Sequence, residues 1–504
     1  MIGDFIAWVL MYMSPKSISE IQGYFNHLTE QSRPVRLRLR RQVRPAFSLL
    51  GTHVCKPLFQ GLPTRKEKPG CGRTPHHCSA PGQRHNGAMD ILVAGGGLCG
   101  TLMALTLSQR QLGVTLLTGS AHPQPIPAAT GYSYGGIPWW MGVGDGGRML
   151  SGQGLACWQQ LQERHGDLGL RPGKLLLYWS AADDDAAVEA AVAALAASLP
   201  EETRPERRCR SAFCGGNLQD LGLTCAGAVE LPYGRIDSRH YRPAMDRVLQ
   251  SQGVRRSPGA VDQLLVRHGR CMGVRLTDGD VLKSDGVVLA TGAAMASLLP
   301  LPEAGRWFPH SWASVLPLQQ PQPWPEVILM PLLGGRERME RQGRTGLVVD
   351  PGLAPWGGGV VFGQATSLQR RSGRPGATPS VLTGSWQPSV AEAQLHRALA
   401  ELAPGLAATA RRQRAAVRHC PVSYSPDGRP WVGGCPGIAN LWLFGGFRGG
   451  FALAPLLAPL LAEAVARNSP LAQELGVDPA RLLAPQDRPP HQKEDEADRG
   501  DSAS

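Results

Sequence analysis

Several signals of secreted and membrane proteins are missing from the sequence. Its 11 cysteines include no pair in CxxC spacing, and no segment combines a charged start, an apolar middle and a small-residue cleavage site. The apolar run at residues 5–13 is shorter than the about 20 residues that a membrane-spanning helix needs. These absences argue against a disulfide framework, a signal peptide and a transmembrane segment. We therefore expect reduced thiols and a cytoplasmic location.

The net positive charge is low outside the N-terminal segment, although the chain of 504 residues has a formal net charge of +12. Residues 1–88 hold 13 of the 52 Lys and Arg but only 4 of the 40 Asp and Glu, which leaves +3 for residues 89–504. A nearly neutral main body gives no electrostatic reason to bind a phosphate backbone. We expect no nucleic-acid partner.

The N-terminal segment also lacks the apolar periodicity of a folded domain. Its mixture of Pro, Arg, Gly, His and Lys predicts a disordered basic arm over residues 1–88. Cys71, His76, His77 and Cys78 lack the paired spacing of zinc sites, and no metal site is predicted.

The folded part is expected to begin at Met89, where the composition changes to apolar strand, glycine turn and helix. Because Met89 directly precedes the first strand, we interpret it as the translation start and residues 1–88 as an upstream extension of the reading frame. The globular pattern continues to residue 467. Residues 468–504, Pro-rich and then charged, are predicted to form a mobile tail.

A glycine-rich fingerprint follows the first strand. The first glycine of a GxGxxG pattern makes a tight turn, the second lets backbone amides approach a pyrophosphate, and the third permits close helix–strand packing. The pattern predicts a dinucleotide site, with a glycine-rich packing turn as the alternative. Its parts are the strand Ile91–Ala94, the glycines Gly95, Gly97 and Gly100, the helix Thr101–Gln111 and a second strand at residues 113–118.

The end of the second strand lacks the carboxylate that usually binds the ribose hydroxyls. Thr118 stands there, followed by Gly119 and Ser120. A threonine hydroxyl can form one such hydrogen bond without charge assistance. We expect binding to persist with a weaker adenosine anchor.

Two further segments resemble known flavoproteins. Residues 260–300 contain a hairpin through Asp278 and Gly279 and a buried strand GVVLATG, which resembles the glutathione-reductase-type FAD domain. The segments ELPYGRIDSRHYRPAM (230–245), SPDGRPWVG (425–433) and LWLFGGFRGGFALAP (441–455) resemble the D-amino-acid oxidase, glycine oxidase and sarcosine oxidase superfamily. The resemblance covers roughly residues 89–467.

This resemblance implies an α/β fold, with a Rossmann FAD domain and an inserted, mostly antiparallel α+β substrate domain. The Val/Leu runs EVILM, GLVVD and GVVFG support the antiparallel part, and helices are predicted at 181–199 and 239–253. The FAD domain is assigned to about 89–150, 235–300 and 415–467, and the substrate domain to about 151–234 and 301–414.

FAD is the cofactor that the resemblance implies. The glycines after residue 444 leave backbone exposed at a helix N-terminus, where an electron-rich flavin edge is stabilised on reduction; a ligand-free strand–helix corner is the alternative. The predicted cofactor-binding residues are Gly95, Gly97, Leu98, Cys99, Gly100, Thr118, Thr130, Gly135, Gly136, Ile137, Val261, Ala290, Thr291, Gly292, Gly445, Gly446, Phe447, Arg448, Gly449, Gly450 and Phe451.

An arginine for a substrate carboxylate is missing from its usual place. Family members commonly carry it five residues before the Asp of the PDG-like turn, which here is Val422. Arg448 in GFRGG and Arg418 are the two candidates, and Arg448 is preferred because a planar guanidinium binds a carboxylate in bidentate fashion. The alternatives are a solvent-facing helix start for Arg448 and a surface position for Arg418.

The resemblance also points to residues around the flavin ring. The loop after the second strand contains Tyr132, Tyr134, Trp139 and Trp140, which either wall the substrate cavity or pack in the core or an interface. Tyr134 is included among the candidate catalytic residues. Cys420 has the spacing at which the monomeric sarcosine oxidase branch links a cysteine to the flavin, with a buried structural cysteine as the alternative.

The predicted reaction is oxidation of a C–N bond in a small amino acid or secondary amine by hydride transfer to FAD, with oxygen or another electron acceptor. One alternative is an FAD-dependent reductase or dehydrogenase acting on a non-amino-acid substrate. The other is a flavin-binding module of a larger, RNA-modifying assembly.

Overall fold

The fold is described from a computed structural model of the chain. It describes residues 89–119, 128–139, 150–199, 203, 205–209, 222–301, 308–320, 324–368, 386–471 and 475–482. All of these belong to one compact unit, residues 82–504. The predicted basic arm with its Cys71–Cys78 cluster, Ser120, Trp140 and most of the predicted tail lie outside the described residues.

The described residues form both strands and helices. The strands are β1 (Asp90–Ala94), β2 (Gly113–Leu117), β3 (Leu170–Ser180), β4 (Glu206–Cys209), β5 (Cys225–Ile236), β6 (Arg255–Ser257), β7 (Val261–Arg267), β8 (Arg270–Leu276), β9 (Val281–Lys283), β10 (Gly286–Leu289), β11 (His310–Leu318), β12 (Val327–Pro331), β13 (Gly346–Trp356), β14 (Gly359–Leu368), β15 (Arg418–Ser423), β16 (Trp431–Gly434) and β17 (Leu441–Gly445). The helices are α1 (Leu98–Ser108), α2 (Gly154–His165), α3 (Asp185–Ser198), α4 (Ser238–Ser251), α5 (Met295–Leu298), α6 (Arg336–Arg341), α7 (Pro388–Leu402), α8 (Pro404–Gln413) and α9 (Gly450–Arg467).

The first sheet has the strand order β16-β17-β10-β1-β2-β6. All neighbours are parallel except β16 and β17. Helices α1, α2, α4 and α9 cover one face, and the small antiparallel sheet β7-β8-β9 covers the other together with α5. A parallel sheet that is buried on both faces explains why β1 and β10 read as continuous apolar runs.

The second sheet has the order β15-β11-β14-β13-β12-β3-β5-β4 and is antiparallel except for the β12–β3 pair. Helices α7 and α8 pack on one face. The other face carries α3 and aromatic side chains of the segment after β2. The predicted α/β class with an inserted, mostly antiparallel part is confirmed.

The predicted helices at 181–199 and 239–253 correspond to α3 and α4. Each begins after an aspartate N-cap, because Asp184 accepts a hydrogen bond from the Ala187 amide and Asp237 from the Arg239 amide. The assigned segment boundaries need correction at β15. Residues 415–467 were expected in the first domain, but β15 pairs with β11 in the second sheet.

Helix α9 is long and apolar enough to cross a membrane, with a mean hydropathy of 1.4. However, 67% of this segment is buried inside the protein. Its apolar composition is that of a core helix, since its side chains pack with α1 and α2.

Candidate cofactor and substrate site

The carboxyl ends of β1 and β10 meet at the glycine fingerprint. Gly95 follows β1 with φ +112°, and its amide donates a hydrogen bond to the Leu117 carbonyl at 2.9 Å. A Cβ on Gly95 would lie 2.4 Å from the Ala290 oxygen, and a Cβ on Gly100 would lie 1.7 Å from the Gly95 oxygen. Both positions need glycine because the helix and two strands approach too closely for a side chain.

The N-terminus of α1 forms the next part of the site. Gly97 is the N-cap, and the nearest heavy atom to a Cβ built there would be Thr130 Oγ1 at 3.3 Å. This hydroxyl accepts a hydrogen bond from the Leu98 amide at 3.0 Å. Burial raises the pKa of the Cys99 thiol to about 12, so that side chain is neutral. With no acidic residue in the first turn, the positive end of α1 suits an anionic diphosphate.

Thr118 stands beside the fingerprint loop at the end of β2. A Cβ on Gly96 would lie 2.9 Å from Thr118 Cγ2. The Thr118 hydroxyl donates to the Ser257 carbonyl at 3.2 Å. Because this bond uses the hydroxyl proton, the oxygen lone pairs can still accept from a ribose hydroxyl, as a carboxylate would.

A hydroxyl without a hydrogen bond and a glycine with free space beside it follow β10. Thr291 Oγ1 is buried and has no hydrogen-bond partner among the described residues. Gly292 has φ +58°, and a Cβ built on it would meet no atom within 4 Å in that part of the chain. Buried hydroxyls are normally hydrogen-bonded, so both features fit a bound ligand.

The turn between β17 and α9 completes this edge of the sheet. Gly446 has φ +70° and lies against the Trp431 ring. A Cβ built on Gly446 would lie 2.6 Å from Trp431 Cε3. A Cβ on Gly450 would lie 3.4 Å from Leu98 Cδ2, so the N-termini of α9 and α1 adjoin. The Phe451 carbonyl accepts a hydrogen bond from Trp158 Nε1 at 2.6 Å, which fixes the first turn of α9.

The segment at residues 128–139 joins the two sheets. The Ile137 amide donates to the Gly234 carbonyl at 2.9 Å, and the Ile236 amide donates to the Gly135 carbonyl at 2.8 Å. A Cβ on Gly136 would lie 2.3 Å from the Tyr233 hydroxyl. These predicted cofactor residues therefore hold the segment against the end of β5.

The aromatic side chains of this segment lie on one face of the second sheet. Tyr132, Tyr134 and Trp139 pack against the buried residues there. The Tyr134 hydroxyl donates to the Gly363 carbonyl, and burial raises its pKa above the ordinary value. Tyr134 is thus neutral at physiological pH, and its hydroxyl proton is already donated to the Gly363 carbonyl.

Strand β15 brings the expected arginine position to the same face. Cys420 pairs with Ala313 and Val422 with Ser311, so these side chains share a face of the sheet. Ser311 Oγ is buried and has no hydrogen-bond partner among the described residues. Burial raises the pKa of Cys420 to about 12, and the Arg336 charge lowers it by less.

A buried charged cluster faces the turn after β17. The Arg448 and Glu340 side chains are 9% and 2% exposed. Glu340 Oε2 lies 3.5 Å from Arg448 Nη2, while Glu340 Oε1 accepts a hydrogen bond from Arg336 Nε at 2.8 Å. Burial lowers the pKa of Arg336, but the Glu340 charge and hydrogen bond oppose it and the pKa is raised overall. The Glu340 carboxylate therefore lies between the cations Arg336 and Arg448, and the Asp350 charge acts on Arg336 as well.

Comparison with known proteins identifies the family. A family model described as FAD dependent oxidoreductase (DAO) matches residues 90–464, well over half of the chain. The chain belongs to this FAD-dependent oxidoreductase family.

Solved structures of similar fold include enzymes that are named for amino acids or for iminodiacetate. Glycine oxidase from Bacillus cereus has a TM-score of 0.58 and 16% identity, covering 76% of this chain and 98% of that chain. Iminodiacetate oxidase from Chelativorans sp. BNC1 has a TM-score of 0.55 and 21% identity, covering 76% of this chain and 96% of that chain. L-amino acid deaminase from Proteus myxofaciens has a TM-score of 0.55 and 14% identity, covering 79% of this chain and 94% of that chain.

FAD is therefore the cofactor of this family member, and the residues present fit it. The α1 N-terminus suits the diphosphate, and the Thr118 hydroxyl can bind the ribose. Beyond β10, the buried Thr291 hydroxyl can form a hydrogen bond to the cofactor, and Gly292 leaves space for it. Val261 is buried at the start of β7, on the side of β2 and Gly119.

The structure brings together most of the predicted site residues, but not all. Arg448 is buried, whereas Arg418 is exposed at the start of β15, which fits its surface alternative. Arg336, Glu340 and Ser311 were missed by sequence reasoning. The segment RERMERQGR around α6 reads as an exposed charged helix, and only tertiary packing buries Glu340. The described residues contain no group of three or more His, Cys, Asp or Glu that could hold a metal ion.

Proposed function

We propose that the protein oxidises the C–N bond of a small amino acid or secondary amine, and that Arg448 binds the substrate carboxylate. The supporting observation is the position of Arg448, a nearly buried guanidinium on the turn that leads from β17 into α9. A planar guanidinium in a dry site binds a carboxylate with two parallel hydrogen bonds. The named activities of the structural neighbours agree with this substrate class.

The residues of the chain act mainly by orientation. Bound FAD supplies the hydride acceptor, and such a transfer needs a positioned substrate with a neutral amine more than a strong base. Tyr132 and Tyr134, with the apolar residues of the second sheet, exclude water from this side. The amine loses a hydride and a proton to become an imine, which water hydrolyses, and oxygen or another acceptor takes the electrons. We place the enzyme in the cytoplasm, in agreement with Cys99, Cys157, Cys271, Cys420 and Cys435, which form no disulfide within the part of the chain that the structure describes.

A second candidate is an FAD-dependent dehydrogenase or reductase acting on a substrate without a carboxylate. The specific observations in its favour are Val422 at the expected arginine position and the carboxylate of Glu340 already facing Arg448.

Anaerobic mixing with a panel of amines tests the proposal. Glycine, sarcosine, D-alanine and L-proline are compared with ethylamine, and we expect an amino acid to bleach the visible flavin band. Failure of every amine to bleach it contradicts amine oxidation, and bleaching by ethylamine alone favours the second candidate.

Replacing each candidate arginine then tests carboxylate binding. Arg448→Leu should raise KM for the amino acid about 10- to 100-fold, the effect of losing charged hydrogen bonds worth about 1.5–3 kcal/mol. Arg418→Leu should leave KM unchanged because Arg418 is exposed. The reverse pattern would assign the carboxylate to Arg418.

A further inference from the structure

Helix α6 carries a buried carboxylate toward the proposed substrate site. Glu340, 2% exposed, lies in the connection between β12 and β13. Its two oxygens face two guanidinium groups, since Oε1 is 2.8 Å from Arg336 Nε and Oε2 is 3.5 Å from Arg448 Nη2. The Glu340 carboxylate thus interacts with Arg336 on its own helix and with Arg448 on the turn between β17 and α9.

The two contacts differ in kind. The distance to Arg336 is that of a charge-assisted hydrogen bond, whereas 3.5 Å to Arg448 exceeds the usual length of such a bond. The Arg448 contact is therefore mainly Coulombic attraction, which a second carboxylate can share without breaking the bond to Arg336.

The position of α6 is fixed from its start. Asp350 on β13 accepts hydrogen bonds from the amides of Gly335 and Arg336, at 2.7 and 2.9 Å. Because Asp350 is bonded to this backbone and Glu340 to Arg336, the Glu340 carboxylate is held beside Arg448 rather than free to move away.

We propose that Glu340 is a specificity-determining residue, a built-in carboxylate that competes with the substrate carboxylate for Arg448. This inference rests on the proposed role of Arg448. Before substrate binds, Glu340 compensates the buried Arg448 charge, which would be costly alone. When a carboxylate binds, it meets both the attraction of Arg448 and the repulsion of Glu340, so affinity for anionic ligands is lowered while affinity for neutral ligands is not.

Ligand binding by the FAD-loaded enzyme tests this directly. Acetate and its neutral analogue acetamide are titrated into wild type and Glu340→Gln, with the visible flavin spectrum as the readout. Glutamine retains an oxygen acceptor for Arg336 but removes the charge. We expect Glu340→Gln to bind acetate about tenfold more tightly, the effect of one charged contact, with acetamide binding unchanged. Unchanged, weaker or undetectable acetate binding by this variant overturns the proposal.

Glu340→Asp provides a second variant if Glu340→Gln does not fold. It keeps the charge but shortens the side chain by one methylene, which withdraws the carboxylate from Arg448 while α6 stays in place. Tighter acetate binding, smaller in size than for Glu340→Gln, is expected. Equal or weaker acetate binding by Glu340→Asp contradicts competition.

Steady-state kinetics separate this role from a merely structural one. Competition predicts that Glu340→Gln lowers KM for an amino acid and leaves kcat unchanged, whereas structural damage lowers kcat and FAD affinity together. If amino acids bleach the wild-type flavin but Glu340→Gln binds acetate as wild type does, the inference fails and amine oxidation stands. If no amine bleaches it, the proposed function fails, whatever the acetate titration shows.

Discussion

Replacing Gly446 by alanine should damage both stability and cofactor binding. The backbone there has φ +70°, and the new Cβ would lie 2.6 Å from Trp431 Cε3. Trp431 is fully buried and packs edge-to-face on Phe308 with ring centroids 4.5 Å apart, so it cannot withdraw easily. The left-handed backbone costs about 1–2 kcal/mol for a non-glycine residue, and overpacking adds about 1–3 kcal/mol.

Gly253 is the matched control. Its φ is +72°, but a Cβ built on it would meet no atom within 4 Å among the described residues. Gly253→Ala therefore carries the backbone cost alone, and Gly446→Ala should be less stable by a further about 1–3 kcal/mol.

Urea unfolding of both variants measures this difference, and fluorescence titration of the apoprotein measures FAD affinity. We expect Gly446→Ala to weaken FAD binding, because the turn into α9 must shift, and Gly253→Ala to leave it unchanged. Equal destabilisation by the two alanines would refute the steric argument.

Three further predictions concern single side chains. Thr118→Val keeps the methyl group against the fingerprint loop but loses the hydroxyl. FAD affinity measured by titration should therefore fall about fivefold, which corresponds to one neutral hydrogen bond worth about 1 kcal/mol. An unchanged affinity contradicts ribose binding by Thr118. Burial raises the pKa of Asp427, but hydrogen bonds from Arg481 and Ser425 lower it more, and it lies below its ordinary value. The stabilisation is therefore present above the unfolded pKa of about 4 and lost as pH falls through the folded pKa. Arg481→Gln should unfold more easily than wild type at pH 7, and the difference should shrink at acidic pH to the part that comes from the hydrogen bonds of Arg481 to the carbonyls of Val477, Asp478 and Arg429; a gap independent of pH contradicts this. Acid-precipitated protein should be colourless, because a thiol with a pKa of about 12 at Cys420 is protonated and a poor nucleophile; a yellow pellet would support the covalent link instead.

Local signals in the sequence were sufficient for much of the first sheet. The glycine spacing, the apolar runs of β1 and β10, and the Asp-Gly turn between β8 and β9 are each determined by residues close in the chain. The helices α3 and α4 were predictable from propensity and apolar spacing.

Properties that depend on distant segments were not predictable. The placement of β15 in the second sheet depends on pairing with β11, more than 100 residues earlier in the chain. Likewise, the charge pattern around Glu340 is typical of a solvated surface helix, and its burial follows only from tertiary packing, with β13, β14 and Arg448 as neighbours of α6. Ser311 gave no signal at all, because its unsatisfied hydroxyl is defined by its surroundings.

The apolar residue at position 422 follows from this same cluster. Val422 is two residues from Cys420 on one face of β15, and Cys420 is close enough to Arg336 for that charge to lower its pKa. An arginine at position 422 would add another cation to a region where Arg336 and Arg448 already share the carboxylate of Glu340. Like charges in a partly dry site repel strongly. Arg336 on α6 and an arginine at position 422 on β15 are therefore alternatives. With Arg336 and Glu340 present, a neutral valine at position 422 avoids the repulsion between cations.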